Sequence, residues 1–171
     1  MNYRWSHRRL LLAAVSSLSL CGAALAAQDT ANLTVTATVA PTCKLTTGPT
    51  LSFGTVNPLA NNDAQGDIQW VCTNGFNTAI KLGAGSTSGG SISSRLMSDG
   101  GTATLAYQLY TDSTRSTVFG DGTAGSSTVA VSGAGYASPA NVTVYGRVLA
   151  AAVGAATAGS YSDTVLVTIT F

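Results

Sequence analysis

The sequence predicts an all-β fold, a sandwich of short strands with Greek-key connections. Apolar residues alternate with Thr, Ser or Asn along much of the chain, which is the period-two pattern of strands with one buried face. Clusters of Gly, Ser, Asn and Asp separate these segments, as at 83–91 and 98–102, and such clusters form turns. Charged residues make up only 9% of the chain and Glu is absent, whereas exposed helices are usually rich in Glu and Lys.

The predicted strands follow one another at short intervals. The candidate segments are 33–39, 68–72, 79–82, 104–110, 129–131, 142–148 and 161–171. The last segment has the strongest alternation, because every second residue from Val165 to Phe171 is large and apolar. No segment predicts a helix longer than one or two turns.

The first 26 residues have the features of a secretory signal peptide. Three Arg residues precede the apolar run 10–20, and the small residues Ala24 and Ala26 suit the two recognition positions of signal peptidase. We predict cleavage between Ala26 and Ala27. The apolar run is shorter than the roughly 20 residues of a membrane-spanning helix, so we expect export without membrane insertion after processing. Removing 26 of the 171 residues leaves 145, with five Lys and Arg against seven Asp and a net charge of −2.

The mature chain lacks residue types on which many catalytic and metal sites depend. Its only histidine, His7, leaves with the signal peptide, so neither a Ser-His-Asp triad nor a zinc site can be assembled. The net charge of the whole chain is +1, which argues against nucleic-acid binding. Residues 120–125 match a dinucleotide-binding fingerprint, but no helical pattern follows them. We predict no catalytic residue, no metal and no cofactor.

Two pairs of aspartates are the candidates for a glycosidase-type site. These are Asp63 with Asp67, and Asp99 with Asp121. Such a site needs two carboxyl groups, one of them with a raised pKa. The surrounding Asn, Asp and Gly residues favour a simpler interpretation, in which these aspartates accept hydrogen bonds within turns.

Cys43 and Cys72 are predicted to form a disulfide. Export implies an oxidising compartment, and the mature chain contains these two cysteines and no other. Closing a loop of about 30 residues stabilises a fold by roughly 3.5 kcal/mol in the chain-entropy model. Two free thiols are the alternative.

Residues 27–40 form an alternating segment before Cys43, and Pro41 marks the junction. One interpretation is an ordinary first edge strand, which composition alone favours. The other is β-strand addition to a neighbouring subunit.

Short motifs in a fixed order extend across almost the whole mature chain. They are Cys43 with LSFG at 51–54, VC at 71–72, RLM at 95–97, LAYQLYTDSTR at 105–115, FGDGT at 119–123, VYGR at 144–147 and AGSYSDTVLVTITF at 158–171. With these motifs the sequence resembles spore coat protein U domain proteins, the pilin subunits of archaic (Csu-type) chaperone-usher pili.

The resemblance implies an incomplete immunoglobulin-like β-sandwich that lacks its final strand and is completed in trans by a donor strand. Residues 27–40 would be the donor segment, and residues 41–171 would be the pilin domain. The donor side chains would be Leu33, Val35, Ala37 and Val39. The acceptor edge, which a chaperone strand would also use, would comprise Val165, Val167, Ile169 and Phe171. Burying three large donor side chains suggests roughly 5 to 9 kcal/mol before ordering costs, and the pocket for the small Ala37 should be shallow.

The resemblance also implies a function and a set of partners. The chain would be a structural pilin that polymerises into surface fibres for adhesion and biofilm formation. Its partners would be a periplasmic chaperone, an outer-membrane usher and neighbouring pilin subunits. Two alternatives stay open: a minor adaptor pilin of the same fibre, or a monomeric secreted carbohydrate-binding module that uses Trp70 and tyrosines as stacking platforms.

Overall fold

The structure, a computed structural model, describes residues 26–48 and 50–171. The predicted signal peptide therefore lies outside the described residues, apart from Ala26. The chain divides after Ala37 into two units. In the first unit, residues 26–37 form neither strand nor helix, and all of their side chains are exposed.

The second unit contains eight strands and one short helix among its described residues. In chain order these are β1 (Cys43–Thr47), β2 (Asn62–Cys72), β3 (Asn77–Leu82), β4 (Arg95–Ser98), β5 (Thr104–Tyr110), β6 (Val129–Ser132), β7 (Ala140–Val148), α1 (Ala150–Ala155) and β8 (Val167–Ile169). The helix stays within the predicted limit of two turns and consists mainly of Ala, the strongest helix former.

The strands form two antiparallel sheets. One has five strands in the order β1-β2-β7-β5-β4, and the other has three in the order β6-β3-β8. The longest ladder joins β2 to β7, from Asn62 opposite Val148 to Trp70 opposite Ala140. Sequence neighbours such as β2 and β3 lie in different sheets, which is the arrangement of a Greek-key sandwich. The predicted all-β fold is confirmed.

The apolar core contains residues of both sheets. Ile68 and Trp70 come from the five-stranded sheet, Ile80 and Leu82 come from the three-stranded sheet, and all four are buried. The loop after β5 contributes Phe119, which is fully buried in the same cluster.

A disulfide between Cys43 and Cys72 fastens β1 to β2. The two cysteines lie directly opposite each other in the antiparallel ladder. The predicted pairing is confirmed, and it fixes β1 at the edge of the five-stranded sheet.

Several strand limits differ from those predicted. β2 begins at Asn62, six residues before the predicted start at 68. Its first inward positions are Asn62, Ala64 and Gly66, which are polar or too small to produce an apolar alternation. Gly66 is required there because a Cβ atom would lie 2.8 Å from the carbonyl oxygen of Thr50. β8 covers Val167–Ile169 and not the whole of 161–171, because its ladder with β3 is confined to that stretch.

Candidate functional site

An open groove lies between β1 and β8, which are edge strands of the two sheets. Within the part of the chain that the structure describes, β1 forms a ladder with β2 alone and β8 with β3 alone. Each strand therefore presents one backbone edge without a partner. The groove has a volume of about 990 Å³, and its apolar lining includes Leu45, Leu51, Ile68, Val165 and Val167.

A smaller cavity of about 160 Å³ extends from the groove into the sandwich. It shares Leu51 and Ile68 with the groove, and its inner walls include Tyr107 and Leu109. Engineered apolar cavities of about 150 Å³ take up benzene. The cavity therefore has room for one large apolar side chain entering from the groove.

Two of the four predicted acceptor residues, Val165 and Val167, line one side of this groove. Val165, Val167 and Ile169 are half-buried and pack against the core. Phe171 lies beyond the end of β8 and is 60% exposed. The structure thus places Val165 and Val167 in the lining of the groove and Ile169 against the core beyond it, while Phe171 lies outside both.

The predicted donor side chains are exposed. Leu33, Val35 and Val39 are 88%, 81% and 79% exposed, respectively, and Ala37 is exposed as well. Soluble proteins usually bury a large part of such side chains, so this alternating series is available for burial in a partner. Its donor role stays a prediction.

Asp163 fastens the start of the acceptor segment to the loop after β3. Its Oδ1 atom accepts hydrogen bonds from the backbone N–H of Ser86 and Thr87 at 2.9 and 3.0 Å, and from both hydroxyl groups at 3.0 Å. Its Oδ2 atom accepts a hydrogen bond from the buried Tyr107 hydroxyl at 2.6 Å. Gly85 has a φ of +99°, and a Cβ atom there would collide with the carboxylate.

The electrostatics of this network follow from burial and hydrogen bonding. Burial alone would raise the pKa of Asp163, but the hydrogen bonds from Tyr107, Ser86 and Thr87 outweigh it and lower the pKa below its usual value. Burial raises the pKa of Tyr107, and the hydrogen bond to Asp163 raises it further. Asp163 is therefore ionised and Tyr107 neutral at neutral pH, which is the state that the hydrogen bond requires.

Arg95 supports the same end of the groove from inside the sandwich. Its side chain is fully buried and donates to the carbonyl oxygen of Gly83 from Nε and Nη2 at 3.0 and 2.8 Å. It also donates to the carbonyl oxygen of Phe119 at 2.8 Å and to the side chain of Gln108. Burial lowers the pKa of this guanidinium, and the negative charge of Asp163 opposes that effect.

Neither Arg95 nor Asp163 is one of the predicted site residues, although Arg95 lies in the motif at 95–97 and Asp163 in the motif at 158–171. Arg95 is a lone cation in a nearly uncharged stretch, and Asp163 interrupts the apolar and hydroxyl residues of the last segment. Each is a charged residue in an otherwise uncharged segment, but the local sequence does not indicate which residues it contacts. The contact between Ser86 and Asp163 joins residues 77 positions apart, and no local pattern encodes it.

The glycosidase candidates have other partners. Asp63 accepts two hydrogen bonds from Arg147, at 2.7 and 2.9 Å, and these lower its pKa. The hydroxyl of Thr143 donates to Asp67 at 2.7 Å. A general acid needs a raised pKa, whereas the pKa of Asp63 is shifted the other way.

The second candidate pair holds turns, as the sequence interpretation expects. The carboxylate of Asp99 accepts a hydrogen bond from the Gly101 backbone at 2.8 Å, and Asp121 accepts one from the Thr123 backbone at 2.9 Å. The candidate stacking residue, Trp70, is only 5% exposed. It belongs to the core and offers no surface platform.

Two further observations concern the described residues as a whole. Residues 26–48 and 50–171 contain no group of three or more His, Cys, Asp or Glu side chains arranged to hold a metal ion. In the same ranges, no helix combines the length and apolar character that crossing a membrane requires.

The chain is similar to known proteins over most of its length. The model of the Spore Coat Protein U domain matches residues 29–168. Protein U of Myxococcus xanthus is 35% identical over 174 aligned residues, which cover 92% of this chain and 93% of Protein U.

The fold is similar to that of a chain in a solved pilus complex. That crystal structure is the CsuC-CsuE chaperone-tip adhesion subunit pre-assembly complex from the archaic chaperone-usher Csu pili of Acinetobacter baumannii. The two chains share 23% identity with a TM-score of 0.52, and the match covers 78% of this chain and 40% of the other. This chain therefore matches about two fifths of that chain's length, and the similarity is one of fold.

Proposed function

The chain belongs to the Spore Coat Protein U domain family, and from this membership we propose that it is a structural pilin of an archaic chaperone-usher pilus. It polymerises when the donor segment, residues 27–40, of one subunit completes the sandwich of another. The fibre serves adhesion and biofilm formation at the cell surface. The protein acts by assembly, without a catalytic step.

The observation that supports this proposal is the match between the groove and the donor segment. The groove lies between two strands that each lack a partner on one side, and it is lined by apolar side chains. The donor segment alternates exposed apolar residues with Thr or Asn. A strand laid in the groove would add backbone hydrogen bonds on both sides and direct every second side chain inward.

The same groove explains the proposed partners. An open edge with an apolar lining is prone to aggregation, so the new subunit needs temporary cover during export. A periplasmic chaperone would supply a strand beside β8, and an outer-membrane usher would exchange it for the donor segment of the next subunit. The signal peptide at 1–26 would direct the chain to the periplasm.

Polymerisation of purified subunits tests this function. The mature chain should give polymers that survive detergent at room temperature and separate on boiling. Deleting residues 27–39 should abolish self-polymerisation, while the truncated chain should still accept a donor segment. Polymers formed by the truncated chain alone would contradict the donor role.

A matched pair of variants separates the two faces of the donor segment. Replacing Leu33, Val35 and Val39 with Thr keeps its length but removes the large apolar side chains, and should prevent polymerisation. Replacing Thr34, Thr36 and Thr38 with Ser alters the other face and should leave polymerisation unchanged. Equal loss in both variants would show that the alternation does not govern assembly.

A further inference from the structure

Apart from the donor segment and residues 165–171, three large apolar side chains are highly exposed among the residues that the structure describes. They are Leu59, Leu149 and Tyr136, with 90%, 54% and 51% of their surface exposed. Leu59 and Leu149 lie at one end of the sandwich, beside the start of β2 and the end of β7, which are paired there through Asn62 and Val148. We call this the far end.

Tyr136 lies at the opposite end. Its loop, 133–139, joins β6 to β7, and Gly135 donates to the carbonyl oxygen of Cys72 at 3.1 Å. Cys72 is paired with Cys43, where β1 begins. Because the donor segment enters the domain just before Cys43, we call this the tether end.

Hydrogen bonds hold the loop that carries Leu59 and the loop that carries Tyr136 in fixed positions. The side chain of Asn62 accepts a hydrogen bond from the Asn57 backbone at 2.6 Å and donates to the carbonyl oxygens of Asn57 and Ala60 at 2.9 Å. These contacts brace the loop that carries Leu59. At the tether end, the loop of Tyr136 is fastened through Gly133, which donates to the carbonyl oxygen of Phe76 at 2.8 Å. Ordering these loops in a contact therefore costs little further entropy.

Strand directions determine which ends meet in a polymer. β2 runs from the far end to the tether end, and the turn at 73–76 sends β3 back, so β3 finishes at the far end. β8 is antiparallel to β3 and starts at the far end. A final strand of an antiparallel sandwich runs antiparallel to β8, so the donor's last residues lie at the far end of the acceptor.

The tether is too short to keep the two subunits apart. Val39 is four residues from Cys43, a span of at most about 14 Å. Thr73 also holds the intervening chain, since its hydroxyl accepts from the Thr42 backbone at 3.0 Å and donates to the carbonyl oxygen of Ala40 at 3.4 Å. The tether end of one subunit must then lie against the far end of the subunit that accepts its donor segment.

We propose that this junction is a second interface between neighbouring copies of the chain, in which Tyr136 packs against Leu59 and Leu149. The inference rests on the proposed function. The contact is heterologous, because different surfaces of the two copies meet, and such a contact repeats along an open-ended fibre. Burying the three side chains would limit bending of each subunit about its tether.

Cysteine cross-linking tests the interface in the full mature chain. In the variant that combines Leu59→Cys with Tyr136→Cys, oxidised polymers should resist boiling in detergent and separate on reduction. The two positions lie at opposite ends of β2, roughly 33 Å apart for ten strand steps, so a bond between them must join two molecules. Neighbours held at an effective concentration of about 1 mM should react roughly 1000-fold faster than chains at about 1 μM that meet at random.

The matched control combines Gln65→Cys with Tyr136→Cys, because Gln65 is exposed on the outer face of β2, roughly 10 Å from the start of the strand, and should not cross-link. Boiling-resistant polymers in the test variant but not in the control would support the interface. Polymers that still fall apart on boiling would overturn it and leave the proposed function intact. Disulfide-linked dimers of the variant that carries only Tyr136→Cys would also overturn it, because they would show that the tether ends of two copies meet each other. If the unmodified chain forms no polymers, the proposed function fails as well.

Discussion

The hydrogen bonds that Asp163 accepts should contribute measurably to the free energy of unfolding. Replacing Asp163 with Ala removes the acceptor for two backbone N–H groups and two hydroxyls of the loop at 86–87, and for the Tyr107 hydroxyl. Tyr107 is only 8% exposed, so its hydroxyl would be left buried without a partner.

The size of the effect follows from these contacts. A buried hydroxyl without a partner costs about 1 to 3 kcal/mol, and each lost backbone hydrogen bond costs about 1 kcal/mol. We therefore expect the Asp163→Ala variant to lose about 3 to 5 kcal/mol of unfolding free energy. Asp163→Asn keeps an acceptor for the loop and gives up only the charge, so it should lose about 1 to 2 kcal/mol.

Urea unfolding measures both losses through intrinsic fluorescence. Trp70 is buried in the core and is the single tryptophan after removal of the signal peptide, since the chain's other tryptophan is Trp5. The Asp163→Asn variant is the matched control, because it preserves the shape of the side chain.

The pH dependence of these losses tests the charge separately. The folded-state pKa of Asp163 is lowered below its ordinary value of 3.8, so its charge stabilises the fold above the unfolded-state pKa. That contribution disappears as the pH falls through the folded-state pKa. The difference between the native chain and Asp163→Asn should therefore be full at pH 6 and shrink below about pH 4. A difference that stays constant from pH 6 to pH 2.5 would refute the assigned role of the carboxylate.

Three other substitutions probe the groove and its supports. Ile169→Asp should weaken binding of a synthetic donor peptide, residues 29–39, by about 100-fold or more because it places an unpaired charge among apolar groups. Thr168→Asp, on the exposed face of β8, is the control. Equal weakening by both substitutions would contradict the assignment of Ile169 to the inner face. Arg95→Lys should lower the unfolding free energy by about 2 to 4 kcal/mol because an ammonium group cannot replace the guanidinium's several fixed hydrogen bonds, and an unchanged urea midpoint would count against that role. Replacing both Cys43 and Cys72 with Ala should cost roughly 3.5 kcal/mol, and an unaltered midpoint without the disulfide would show that β1 is held by its ladder alone.

The alternation of residues was enough to predict the fold class and several strands. The strand at Thr104–Tyr110 has the predicted limits, because Leu105, Tyr107 and Leu109 all point into the core. The early part of β2 escaped prediction because Gly66 sits where the neighbouring backbone leaves no room for a side chain. Periodicity reports where large apolar side chains are buried, and it misses strands whose inner face is filled by another segment.

The site was predictable only in part for a similar reason. The alternation placed Val165, Val167 and Ile169 on one face of a strand, which is a local property. The supports of the groove depend on contacts between distant segments, such as Arg95 with Phe119 and Asp163 with Ser86. The packing of the two sheets brings such distant residues together, so the periodic pattern of a single sequence does not reveal these hydrogen bonds.

Hydrogen exchange of the truncated chain with a donor peptide tests the central claim most directly. The chain lacking residues 27–39 would be compared with and without the synthetic peptide of residues 29–39. If the groove accepts the donor strand, exchange of backbone amides should slow in β1 and at 164–170, the two edges without partners, and change little in β5. Peptide binding that protects other strands and leaves these two edges unchanged would contradict the claim that the groove accepts the donor strand.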